Sequence, residues 1–127
     1  MTVVLDTATL IWWTTDPPRL SSRARRAIDE TSEILVSTIS IWEAALKARK
    51  GALVLPGSIR EFARGLADVE RVTVRSVDAE TWIANVELDW DHKDPADRTI
   101  VALAQLAGAA LVTSDRRILD FYPRGVW

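Results

Sequence analysis

Five short apolar runs recur along the 127 residues, and a stretch with helix-start signals separates each from the next. Thr2–Leu5 is β-branched and apolar and stops at Asp6, which reads as a buried strand. Glu33–Ser37 reads as a second buried strand. Arg71–Val77, alternating through Val72 and Val74, reads as a third, at a sheet edge. Ala110–Thr113 is a fourth, ending near Ser114-Asp115, and Gly125–Trp127 is a short last one. Between them, Thr7 caps a short helix through Trp13, which Asp16-Pro17-Pro18 breaks. Ser21 or Ser22 caps Arg23–Glu30, and Thr38 or Ser40 opens a helix through Lys50 with Gly51 closing it. Ser58 starts a helix with Ile59, Phe62, Ala63 and Leu66 on one face, and Asp78 caps Ala79–Leu88. Asp94 and Pro95 open a helix that ends at Gly108, since proline suits a first turn whose N–H groups have no partner anyway. Arg116–Phe121 is a last short helix. Strands alternating with helices predict an α/β fold, a parallel sheet covered on both faces, in one domain spanning residues 1–127.

Composition narrows the function. The chain is 48% hydrophobic, as an ordinary globular domain is, with a formal net charge of −2, whereas a sequence-independent DNA binder is usually basic. It has no cysteine, which excludes a disulfide scaffold and a thiolate metal site, and its single histidine, His92, makes an ordinary zinc site improbable. The N-terminus lacks the pattern of a signal peptide. The most apolar run, Ile100–Val112, is shorter than the roughly 20 residues that span a bilayer. The expected location is the cytoplasm, with no membrane contact.

Four acids stand where such a fold builds sites. Asp6 and Asp115 follow the first and fourth strands, and open α/β sheets bind ligands at the carboxyl ends of strands, where the strand order reverses. Asp97 lies in the first turn of the helix that leads into the fourth strand. Glu43 lies beside Trp42, Ala45 and Leu46, which read as core-facing. Each acid alone has a simpler role: Asp6 and Asp115 as helix caps, Asp97 as a complement to its helix dipole, Glu43 as a partner for Lys47 one turn on. Gathered in one cleft, they repel. Two carboxylates about 5 Å apart cost roughly 3 kcal/mol at an effective dielectric near 20. A hard divalent cation would hold them ionised, and an all-oxygen set suits Mg²⁺ or Mn²⁺. Such an ion activates water and neutralises charge at a phosphoryl centre, which points to phosphodiester hydrolysis.

The same residues carry a family resemblance over essentially the whole chain. Leu5-Asp6-Thr7 with Leu10 and Trp12, Ser37 to Ser40-Ile41-Trp42-Glu43 with Lys47 and Gly51, His92-Lys93-Asp94-Pro95-Ala96-Asp97-Arg98, Leu111-Val112-Thr113-Ser114-Asp115 and the terminal Trp127 stand in an order and spacing that resembles the PIN-domain ribonucleases, specifically VapC toxins. The resemblance implies a PIN-like α/β/α sandwich with a five-stranded parallel sheet. It implies a metal-dependent endoribonuclease with its acidic site on Asp6, Glu43, Asp97 and Asp115. It further implies a homodimer and a VapB-type antitoxin that masks the site. Ala96 departs from the pattern, since relatives often carry phenylalanine there.

In that reading Asp6 and Asp97 are the main metal ligands, Asp115 completes the cluster, and Glu43 acts through water or positions the nucleophile. Thr113 can hydrogen-bond a carboxylate or be merely structural, and Asp94 reads as a cap ahead of a ligand because Pro95 follows it. Arg98, Arg116, Arg117 and Lys47 are candidate contacts to RNA phosphates, or simply a solvated face. Trp42 and Trp82 read as core. Of the adjacent Trp12 and Trp13, one is expected at a partner surface. His92 has no evident partner and reads as structural. Two rival readings are a receiver-like phosphoacceptor domain, which wants an acid pair after the first strand and a lysine after the last, and a non-catalytic binding module on the same fold.

Overall fold

The computed structural model describes all 127 residues. Five parallel strands, β1 (Thr2–Leu5), β2 (Glu33–Ser37), β3 (Val72–Arg75), β4 (Ala110–Val112) and β5 (Gly125–Val126), form one sheet in the order β3-β2-β1-β4-β5. The chain steps outward from β1 to β2 and β3, then returns to β1's other side for β4 and β5. The order therefore reverses between β1 and β4, where Val3 pairs with Ala110 and Leu5 with Val112.

Burial on both faces explains why the strands are apolar without a gap. On one side Val3, Leu5, Ile34, Val36 and Val112 join Leu10 of α1 (Thr7–Thr15), Ala24 and Ile28 of α2 (Ser22–Glu30) and Leu66 of α4 (Ile59–Asp68). On the other, Val4, Leu35 and Leu111 join Ile100, Val101, Leu103 and Ala104 of α6 (Pro95–Ala107) and Ile118 of α7 (Arg116–Phe121). Helix α3 (Thr38–Arg49) packs against α1, α4 and α6, and α5 (Ala79–Glu87) packs on α6. The result is the expected α/β/α sandwich with a five-stranded parallel sheet.

Helix caps fall one residue earlier than read in two places. Asp6, not Thr7, caps α1, its Oδ1 accepting from Thr9 N at 2.8 Å. Ser37, not Thr38 or Ser40, caps α3, accepting from Ile39 N at 3.1 Å. In both, the last strand residue or its neighbour turns straight into the helix, so the chain has no spare linker residue to do the capping. Asp94 caps α6 through Ala96 N (2.9 Å) and Asp97 N (3.2 Å), Pro95 takes the first turn, and Gly108 closes the helix with φ 60°. That left-handed conformation suits glycine because it has no Cβ to clash.

Two tryptophans expected in the core are not there: Trp42 is 53% exposed and Trp82 44%. The buried face of α3 is made of Ser40 and Ala44, and at 100° per residue Trp42 stands about 200° from both, on the far side. In α5 the inward residues are the polar Thr81 and Asn85. Asn85 Nδ2 donates to Thr99 Oγ1 (2.9 Å) and Pro95 O (3.2 Å), so this helix seats on α6 through hydrogen bonds and leaves Trp82 outside. Trp12 and Trp13 are both half-buried against the core rather than divided between inside and outside.

Candidate active site

At the carboxyl end of the sheet, the reversal between β1 and β4 brings Asp6 and the β4–α7 turn together. Asp6 is 5% exposed. Its Oδ1 accepts from Thr9 N, its Oδ2 accepts from the Thr113 hydroxyl, and Thr113 Oγ1 accepts from Asp115 N at 3.0 Å. One threonine thus ties the two strand-end acids to each other. Asp115 in turn caps α7, its Oδ1 accepting from Arg117 N at 2.8 Å and Ile118 N at 3.4 Å. The cap role and membership of an acidic site coexist in the same residue.

The other two acids come from the flanking helices, which pack against each other. Glu43 on α3 accepts from the hydroxyl of Thr7, which shares a further hydrogen bond with Ser40 at 2.9 Å. No ion pair joins Glu43 to Lys47. Asp97 Oδ2 stands 2.7 Å from His92 Nε2, with the two side chains 21% and 12% exposed. His92 therefore has a partner, and a charged one. Local pattern holds no sign of it, because His92 precedes the helix and reaches Asp97 by a loop, not by a helical repeat. Thr7 was missed for a similar reason: its partner is 36 residues away.

Arg98 does something different from what its neighbourhood suggests. Its guanidinium donates to the carbonyls of Asn85, Leu88, Trp90 and His92, at 2.6 to 3.1 Å, and so is not available to an RNA phosphate. The segment between α5 and α6 has no regular structure, so its carbonyls need donors, and the arginine fork supplies them. Trp90 completes the clamp, stacked on Phe121 at 4.6 Å and edge-on to His92 at 4.8 Å. Arg116 and Arg117 are solvent-facing, Arg116 3.5 Å from Asp120 and Arg117 3.8 Å from Asp91, and Lys47 is exposed.

Electrostatics link the four acids. Burial pushes the Asp6 carboxyl above its ordinary range, against the hydrogen bonds that pull it down, and the Asp115 charge adds to the rise. Burial also raises Asp97, opposed by the His92 hydrogen bond, while Asp94 and Asp115 push it further up. Glu43 is raised by burial, lowered by its Thr7 hydrogen bond, and raised again by Asp94 and Asp97. Asp6, Glu43 and Asp97 therefore each feel another acid of the set. Asp94, read as a cap, does cap α6 and also adds its charge to this group.

No three acidic or imidazole groups stand close enough to enclose an ion as a ready-made cage. Each carboxylate is instead turned toward its own hydroxyl, amide or imidazole. The donor set nevertheless fits a hard divalent cation. It is all oxygen apart from one imidazole, and its negative charge exceeds the cations beside it. Mg²⁺ keeps several of its waters and commonly takes only one or two carboxylates directly, so acids that do not touch one another can still share it.

The sequence pattern of the PIN domain matches residues 3–122. The chain belongs to the PIN-domain family, in its VapC branch. It is 35% identical to Ribonuclease VapC22 of Mycobacterium tuberculosis over 98% of this chain and 96% of that protein. Among solved structures it is similar in fold to a toxin–antitoxin complex from Klebsiella pneumoniae, with TM-score 0.72, 20% identity, and 98% and 96% of the two chains covered. It is also similar to the DNA-bound VapBC of Salmonella typhimurium, with TM-score 0.68, 22% identity, and 98% and 94% covered. No helix is long and apolar enough to cross a membrane.

Proposed function

We propose that this VapC-branch PIN domain is a metal-dependent endoribonuclease, the toxin of a toxin–antitoxin pair, which hydrolyses phosphodiester bonds in structured RNA. One observation carries the reading: Asp6, Glu43, Asp97 and Asp115, spread over 110 residues of chain, gather at one end of the sheet, where the charge of Asp115 reaches Asp6 and Asp97 and that of Asp97 reaches Glu43. A receiver-like phosphoacceptor accounts for Asp6 but not for Glu43 or Asp97. A non-catalytic module has no use for buried acids that repel.

Asp6 and Asp97 would hold Mg²⁺ or Mn²⁺, with Asp115 completing the set and Glu43 binding through water or orienting the attacking water. When bound, the ion supplies an activated water and offsets charge at the phosphoryl centre. The protein's own work is to aim and space the acids. Thr113 fixes the rotamer of Asp6 and the position of the Asp115 backbone, Thr7 turns Glu43 inward, and His92 holds Asp97 at its outer oxygen. Such supporting contacts, where they have been removed from metal sites, cost about 10- to 100-fold in affinity or activity. The loop that carries His92 is kept in place by Arg98 and Trp90.

A VapB-type antitoxin is the partner that masks the site. The feature that supports a protein partner is an apolar groove of about 710 Å³ between α3 and α4, lined by Trp42, Leu46, Val54 and Ile59. Trp42 and Val54, on its rim, are 53% and 86% exposed. A homodimer and a cytoplasmic location belong to the same proposal.

Alanine at Asp6 or Asp97 is expected to abolish cleavage of a structured RNA in Mg²⁺ while circular dichroism stays native. Full activity in both variants would remove the assignment. Cleavage that persists in EDTA would remove the metal.

A further inference from the structure

A second groove runs along α1. It measures about 240 Å³ and is lined from Ala8, next to Thr7 of the site, through Trp12 and Thr15 to Arg19, with Lys47 on its other wall. From Ala8 to Thr15 the helix advances about 10 Å. Lys47 stands one helical turn from Glu43, close enough for its charge to act on that acid, and Arg19 puts a second cation at the far end. Neither Lys47 nor Arg19 has a carboxylate within ion-pair distance, although Asp16 lines the same groove.

The far end is also aromatic. The Arg19 guanidinium lies 4.5 Å over the Trp12 ring, and Trp12 meets Trp127 with centroids 5.7 Å apart. Trp12 is held half-buried by core contacts, so the stack has a fixed base and a solvent-exposed top, the outer face of Arg19. A guanidinium plane is a platform on which unpaired bases stack, and exposed lysine and arginine ends attract the backbone of the same strand.

Resting on the nuclease reading, we propose that this groove is a substrate subsite that takes one or two nucleotides of single-stranded RNA flanking the cleaved bond. Lys47 meets a phosphate next to the acidic site. Arg19 carries a base on its outer face, opposite Trp12, and its charge faces the following phosphate. Two cations without ion-pair partners and an exposed guanidinium plane favour a nucleic-acid strand over the antitoxin here. Trp12 fixes Arg19 and touches no substrate.

The test uses full-length protein made inert by Asp97→Asn, a fluorescent 12-nucleotide single-stranded RNA and anisotropy titrations over a range of KCl. On that background Arg19→Ala and Lys47→Ala should each weaken binding about tenfold. Each should also flatten the plot of log affinity against log salt by roughly 0.7, the loss of one phosphate contact on a single strand. Arg19→Lys should keep the slope while losing affinity, because it keeps the charge and not the plane. Arg26→Ala, on the exposed side of α2, should change neither, and melting curves should show all variants folded. Unchanged affinity and slope in the Arg19 and Lys47 variants would overturn the subsite. So would normal RNA binding combined with lost binding of the antitoxin, which would make the groove a protein-docking surface. Neither result would touch the nuclease reading, which falls only if the Asp6 and Asp97 variants cleave.

Discussion

Asp6 shows at the residue scale how function is set against stability. It caps α1, and a neutral cap would serve as well, yet it is an acid buried where its charge is costly. Asp6→Asn keeps the acceptor for Thr9 N and removes the charge. It should raise the melting temperature of the metal-free protein by roughly 3–6 °C, about 1 kcal/mol for a domain this size, and eliminate cleavage. A lower melting temperature would show that the carboxylate is stabilising. Thr113 is the converse case. Thr113→Val leaves a buried carboxylate oxygen without its donor, a loss of about 1–3 kcal/mol, and should lower activity, whereas Thr113→Ser should keep most of both. Thermal melts alongside initial rates check the pair. At this scale the candidates with a local mark were Asp6, Asp97, Asp115 and Thr113, which stand at strand ends or helix starts, whereas Glu43 lies mid-helix in α3. The roles of His92 and Thr7 were not legible, because their partnerships exist only once loops and helices have been brought together.

At the scale of the element, the loop between α5 and α6 is the least regular segment of the site and the most heavily tied. Arg98 supplies donors to three of its carbonyls, those of Leu88, Trp90 and His92, and to Asn85 O in the last turn of α5. Arg98→Ala should therefore destabilise the fold by about 2–4 kcal/mol and speed amide hydrogen exchange in residues 88–94 well beyond the rest of the chain. Arg98→Lys should rescue only part, since an ammonium cannot reach four carbonyls in one plane. Uniform exchange across the chain would contradict a local clamp. Reading Arg98 as an RNA contact went wrong because adjacency to an acid says nothing about where a long side chain ends. Helices α3 and α5 give the same lesson. Hydrophobicity put Trp42 and Trp82 inside, but the seams of these helices are made by Ser40, Ala44, Thr81 and Asn85, whose small size and hydrogen bonds allow close approach.

Taken as a whole, the molecule carries its acids under load. Asp6, Glu43 and Asp97 have ordinary values of 3.8, 4.5 and 3.8 in the unfolded chain and higher ones in the fold. A raised carboxyl binds protons more tightly when folded. Without metal, stability is therefore greatest below the raised values and falls as pH rises through them. Glu61 and Asp78, lowered by their capping bonds, act the other way and lose stability in acid. Melting temperatures in EDTA should decline as pH rises above these ordinary values, and saturating Mg²⁺ should remove the decline by stabilising the ionised form. The same decline with and without Mg²⁺ would mean that the acids do not share an ion. Local order along the chain determined the rest: β-branched runs, caps and the Pro95 and Gly108 punctuation fixed where strands and helices lie, because those signals act within a few residues. Only the tertiary structure decided which faces of α3 and α5 turn inward, that His92 meets Asp97, that Arg98 serves the backbone, and that a cationic groove runs along α1. Those outcomes depend on contacts between distant segments, whose geometry follows from how the layers pack and not from any residue's neighbours in the chain.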